Sequence, residues 1–272
     1  MKAIILLVVV ALIIVPVFVG TAESYGASAA VKPSIVLVHG AWADGSSWSP
    51  VVAHLQTAGY TVYVPPNPLR GLASDPAYVA SFLASISEPI ILVGHSYGGA
   101  VITNAAVGNP NVKALVYVDA FAPDEGESIG DLASVPPPPG QSASCVAGDP
   151  TQVFNFVPLA GGEVDLYIKP SLFPSCFAND QPLTQAAVLA SSQRPIALSS
   201  LTQTSGVPAW KTIPSWYLVG TIDRVIPPWA QLFMAQRIPG VTIVQVKASH
   251  LSMLSRPEAV VGLINTAAEA TH

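Results

Sequence analysis

Residues 90–102 read IILVGHSYGGAVI, and the fold is decided by how this stretch is read. An apolar run enters a polar turn holding three glycines, and a second apolar run follows. A short Val/Ile/Leu run stopped by glycine predicts a strand buried on both faces, and the small-residue run after it predicts a helix. Gly94-His95-Ser96-Tyr97-Gly98 is therefore G-x-S-x-G at a strand-to-helix junction, the context in which that motif has a mechanical meaning. So tight a turn puts Ser96 in a strained backbone conformation with its hydroxyl directed out of the sheet. Glycines two residues to either side let strand and helix approach, and the first helical amides point toward a reacting oxygen.

Working outward, SIVLVHG (34–40), YTVYVPP (60–66), PIILVG (89–94), VKALVYVDA (112–120), SWYLVGT (215–221) and VTIVQVKA (241–248) predict strands. Helical spacing falls between them at 48–59, 75–87, 98–108, 227–238 and 256–270, with Gly59 as a stop and Pro76 and Pro257 in first turns. The alternation predicts an α/β fold, a mostly parallel doubly wound sheet of about six strands. Residues 123–213 break the rhythm: they hold PPPPG (136–140) and both cysteines, with a predicted hairpin over 151–168 around Ala160-Gly161-Gly162 and a helix over 181–193. An insertion of this length between the fourth and fifth strands is expected to be a cap over a site. The core is then split into 30–122 and 214–272.

Composition narrows the function classes. The 272 residues are 51% hydrophobic and 10% charged with a net charge of −5, so a large core is expected and a nucleic-acid partner is not. Met1-Lys2, an apolar run from Ala3 to Val19 and the small residues of GTAESYGASAA make an export signal over 1–29, cleaved after Ala29. The rival is an uncleaved anchor, the one way this chain would touch a membrane. Export suits a disulfide between Cys145 and Cys176. Neither a zinc motif nor a dinucleotide fingerprint is present, so no metal and no cofactor is expected.

A serine hydroxyl needs a base, and the base an orienting acid. His250 follows the last predicted strand in VKASHLSML, His54 lies within the first helix, and His39 and His95 come too early in the chain. For the acid, Asp223 after the penultimate strand leads Asp119, which closes the strand before the insertion. The backbone N–H groups of Ala41, in LVHGAW, and of Tyr97, after the nucleophile, are the expected oxyanion donors. Phe154, Phe156, Tyr167, Phe173 and Trp210 are candidates to line an apolar pocket.

VLVHGAWADGSSW (36–48), LVGHSYGGAVI (92–102), YVDAFAPDEGES (117–128), PSWYLVGTIDRVIPP (214–228) and ASHLSMLSRPEAVVGLI (248–264) carry a resemblance to the serine α/β-hydrolases. The nearest branch is that of bacterial relatives of the plant methylesterases and hydroxynitrile lyases. The resemblance implies the α/β-hydrolase fold without the first two antiparallel strands of larger members, a triad of Ser96, Asp223 and His250, and a small-molecule ester substrate. The lyases carry threonine where this chain has Gly40 and lysine where it has Leu251, which speaks against lyase chemistry. Amide hydrolysis, acyl transfer and a non-catalytic binding role on the same fold stay open at this point.

Overall fold

The computed structural model describes residues 32–271; the predicted leader lies outside them. In chain order the elements are β1 (Ser34–Val38), α1 (Ser49–Thr57), β2 (Val62–Tyr63), α2 (Asp75–Leu83), β3 (Ile90–His95), α3 (Tyr97–Ala105) and β4 (Val112–Val118). Next come β5 (Phe154–Pro158), β6 (Val164–Ile168), α4 (Leu183–Ser192) and β7 (Ile196–Ala197). The chain closes with β8 (Ser215–Gly220), α5 (Pro228–Ala235), β9 (Thr242–Val246) and α6 (Pro257–Ala270).

Six strands form one sheet in the order β2-β1-β3-β4-β8-β9, and every pairing in it is parallel. All residues of β1, β3 and β8 are buried, because helices cover both faces. Each such Val, Leu or Ile contributes about 1.5–3 kcal/mol on leaving water. α6 shows the matching pattern: Val260, Leu263, Ile264, Ala267 and Ala268 form its buried stripe, at the i, i+3, i+4 spacing of a helix laid on a sheet. After β1 the chain moves outward to β2, then returns to β3 beside β1 and continues to β4. The crevice at the carboxyl ends of β1 and β3 is thus a topological switch point, the place where open α/β sheets bind ligands.

Between β4 and β8 lies a second, three-stranded antiparallel sheet in the order β5-β6-β7. Its hairpin pairs Phe154 with Ile168 through Pro158 with Val164 and turns at Gly161 and Gly162, whose φ values of 90° and 88° need glycine. The indole Nε1–H of Trp42 donates to Leu166 O (2.9 Å) and Arg70 pairs with Asp165 (2.7 Å), so the small sheet is tied to the rim beyond β1 and β2. Cys145 and Cys176 are disulfide-bonded with Cα atoms 5.7 Å apart.

Candidate active site

The elbow is built by close approach. A Cβ on Gly98 would lie 2.5 Å from Val38 O, and one on Gly94 would lie 2.6 Å from Gly98 O; only glycine lets the turn close between β1, β3 and α3. Ser96 caps α3 with φ 53° and ψ −125°, a strained conformation that surrounding structure must hold. Its carbonyl accepts from Gly99 N (2.9 Å) and Phe121 N (3.1 Å), and its N–H donates to Val118 O (3.3 Å). The hydroxyl is left facing a cavity.

Ser96 Oγ lies 2.8 Å from His250 Nε2, and His250 Nδ1 lies 2.7 Å from Asp223 Oδ2. Sequence places the three residues after β3, β9 and β8; the fold brings them into one relay. Asp223 also accepts from Val225 N (2.7 Å) and Ile226 N (3.1 Å) through Oδ1 and from Gln231 Nε2 (2.8 Å) through Oδ2. That network fixes Oδ2 toward the imidazole and sets the tautomer: Nδ1–H donates to the carboxylate, and Nε2 is free to accept the serine proton. Burial lowers the His250 pKa to about 3, so the imidazole is a neutral base at physiological pH. Burial pushes the Asp223 carboxyl up, against the hydrogen bonds it accepts.

The remaining candidates separate cleanly. Asp119 is fully buried, accepts one bond from Ser252 N (3.2 Å), and its Oδ1 has no partner. It does not bond His250. Burial, reinforced by Asp223, raises its carboxyl well above the ordinary aspartate value. His95 sits beneath the site: its Nε2–H donates to His250 O (2.7 Å), and the two rings stand 4.8 Å apart. His39 shapes the loop after β1 by donating from Nδ1 to Gly40 O (2.9 Å) and accepting from Asn67 N at Nε2 (3.1 Å). His54 is exposed.

Ala41 and Tyr97 both line the cavity at Ser96, and the Tyr97 N–H is the first amide of α3, without an intrahelical acceptor. The cavity holds about 90 Å³, bounded by Trp42, Phe121, Ile129, Phe154, Ile196 and Val225 among others. Of the five aromatics expected there, Phe154 lines it. Phe156 is exposed, Tyr167 is half-buried on β6, Trp210 donates to Pro123 O (3.0 Å), and Phe173 packs on Phe177. Phe156 shares the face of Phe154 but lies further along the edge strand, where β5 is exposed from Asn155 to Pro158. Sequence reasoning missed Trp42, which stacks on Phe154 (centroids 5.6 Å), and Gln231. The signal for Trp42 was present in its place one residue past Ala41; Gln231 carried none, because a helical glutamine becomes a carboxylate's partner only through tertiary packing. A Cβ on Gly40 would lie 2.6 Å from Ser96 Cβ, so this site has no room for a threonine there.

Comparison with known proteins gives a consistent picture. The model of the family described as "Alpha/beta hydrolase family" matches residues 35–263. A carbendazim hydrolyzing esterase of Nocardioides sp. is 36% identical over 128 residues, 42% of this chain and 53% of that protein's length. Methylesterase 17 of Arabidopsis thaliana is 24% identical over 257 residues, 87% of this chain and 91% of that protein. The crystal structure of a pyrethroid hydrolase from Sphingobium faniae superposes with a TM-score of 0.70 at 25% identity, covering 88% of this chain and 98% of the other.

Proposed function

The chain belongs to the alpha/beta hydrolase family as a serine hydrolase of carboxylesterase type, and from that premise we propose that it cleaves small to medium, apolar or aromatic esters through an acyl-enzyme on Ser96, outside the cytoplasm. The observation that carries this reading is the unbroken relay from Ser96 Oγ through His250 to Asp223, at 2.8 and 2.7 Å, opening into an apolar cavity. His250 Nε2 takes the Ser96 proton as Oγ attacks the ester carbonyl. The amides of Ala41 and Tyr97 donate to the oxyanion, a contribution of a few kcal/mol per donor in the transition state. The alcohol leaves with the proton from His250, and water cleaves the acyl-enzyme by the same steps in reverse order. Asp223 orients the imidazole and stabilises its charged form.

Size and polarity argue for the substrate class. A dry cavity of about 150 Å³ takes up a benzene ring, so one of about 90 Å³ suits a compact group and not a long acyl chain. No charged side chain bounds it, which disfavours charged acyl groups. A bonded Cys145–Cys176 pair fits an oxidising compartment, and no helix among the described residues is long and apolar enough to cross a membrane.

The test is mass-shift labelling of the secreted protein with a fluorophosphonate, beside Ser96→Ala. A single adduct on Ser96, absent from the variant and blocked by short-chain p-nitrophenyl esters, is the expected result. Folded protein that takes up no label would overturn the reading.

A further inference from the structure

The loops that carry Asp223 and His250 leave the sheet at β8 and β9 and bond to each other there, Thr221 N to Val246 O (2.8 Å) and Ile222 N to Ala248 O (3.1 Å). Their neighbours are two pieces of the insertion, residues 144–145 and 175–180, far apart in sequence and joined by the Cys145–Cys176 bond. Cys145 N donates to Arg224 O (2.8 Å), Ser144 Oγ to Val225 O (2.6 Å), and Asn179 Nδ2 to Ile222 O (3.0 Å). The residues on both sides of Asp223 are therefore held by this strap. Asp180 does the same for the other loop: its carboxylate accepts from Ser249 N (2.8 Å) and Ser249 Oγ (2.5 Å), one residue before His250.

We propose that Asp180 is a positioning residue for the catalytic relay, and that the Cys145–Cys176 bond joins its segment to the Asp223 loop as one clamp on which turnover, not substrate binding, depends. The inference rests on the reading of Ser96, His250 and Asp223 given above. Its physical basis is the relay's tolerance: bonds of 2.7 and 2.8 Å to two different loops fail together when either loop shifts by about 1 Å, a displacement that can cost 10²-fold in rate. Desolvation acts against a charged Asp180, yet the bonds from Ser249 outweigh it and hold the carboxyl below the ordinary aspartate value. The carboxylate, which also accepts from Gln181 Nε2 (3.1 Å), thus stays charged, the stronger kind of hydrogen-bond partner.

The experiment measures kcat and KM on p-nitrophenyl acetate, the rate of fluorophosphonate labelling and the urea midpoint for wild type, Asp180→Ala, Asp180→Asn and the Cys145→Ser/Cys176→Ser pair. Asp180→Ala is expected to lose about 10- to 100-fold in kcat and labelling rate, with KM and the urea midpoint close to wild type. Asp180→Asn, which can accept from Ser249 N–H and donate to its Oγ, should rescue kcat to within about 3-fold of wild type. The serine pair should lose kcat similarly, and adding Asp180→Ala to it should cost less than the product of the separate losses, since the groups act as a unit. Wild-type turnover in Asp180→Ala, an equal loss in Asp180→Asn, or fully multiplicative losses would each overturn the clamp. If the serine pair does not fold, the Asp180 variants decide alone. A wild-type protein that takes no label on Ser96 would instead sink the catalytic reading itself.

Discussion

At the scale of single residues, two buried aspartates compete for one role, and their hydrogen bonds distinguish them. Asp223 meets His250 Nδ1 at 2.7 Å, whereas Asp119 meets only a backbone N–H. Asp223→Asn should lower kcat on the order of 10⁴-fold by presenting the wrong tautomer of the imidazole. Asp119→Asn, which keeps an acceptor for Ser252 N, should stay within a few-fold; steady-state rates on one ester compare the two, and the reverse order would reassign the acid. The imidazole makes a second prediction. With His250 pulled down to about 3 by burial, the base remains unprotonated far below the range of a solvent-exposed histidine. The value of kcat/KM at pH 5 should therefore lie within about 2-fold of that at pH 7, where a pKa of 6.5 would cost about 25-fold. A rate profile that falls with an apparent pKa near 6.5 would show the imidazole to be solvated in the working enzyme. Chain order and the G-x-S-x-G context placed Ser96, Asp223 and His250, because strand ends and turn chemistry are local signals. What sequence could not show was the layer behind them: Gln231, Asp180 and the His95–His250 contact arise from packing between distant segments.

Among elements, local pattern decides the interior and loses force at edges. β3 and α3 form where the apolar run and the glycine turn predict them, since each residue of β3 is buried. β2 shrinks from the expected 60–66 to Val62–Tyr63, because Pro65 and Pro66 supply no N–H to a ladder. β9 is the other edge, half-exposed along its length, and stops at Val246, short of the expected 248. β7 and the helical turns at Ile129–Ala133 and Ser252–Ser255 were not foreseen; segments of two to five residues are fixed by what they pack against. The glycines give the testable contrast. Gly98→Ala would drive a Cβ to 2.5 Å from Val38 O, a backbone atom that cannot swing aside. It should cost about 1–3 kcal/mol of overpacking strain and slow Ser96 labelling. Gly262→Ala, in the middle of α6 with nothing within 4 Å of its Cβ, should stabilise by about 0.5–1 kcal/mol. Urea melts compare the pair, and equal effects would show that helix propensity, not the elbow's close approach, governs both sites.

For the molecule as a whole, the carboxyl ends of the strands collect three buried imidazoles, and that has a consequence for stability in acid. His39, His95 and His250 all have pKa values lowered by burial. The native state therefore keeps them neutral while the unfolded chain protonates them below about 6.5. As pH falls through that value the unfolded state binds more protons than the native one, and stability is lost. Asp119 acts in the opposite sense: its raised value means that the native state holds a proton the unfolded chain has released until pH drops to about 3.8, and Asp223, raised by burial against the hydrogen bonds its carboxylate accepts, adds to this in part. Once the unfolded imidazoles are fully charged, these groups cannot cancel three of them. The carboxyls held low, Asp44, Asp124 and Asp180 among them, weigh in only below the ordinary aspartate range. Well below pH 6.5, where the unfolded imidazoles are charged, unfolding therefore takes up protons on balance and stability falls with pH. The urea midpoint should therefore fall from pH 6 to pH 4.5 with m unchanged, while kcat/KM measured quickly on folded enzyme stays flat. A midpoint that holds or rises over that interval would mean that the two aspartates, and not the imidazoles, set the acid response of this fold.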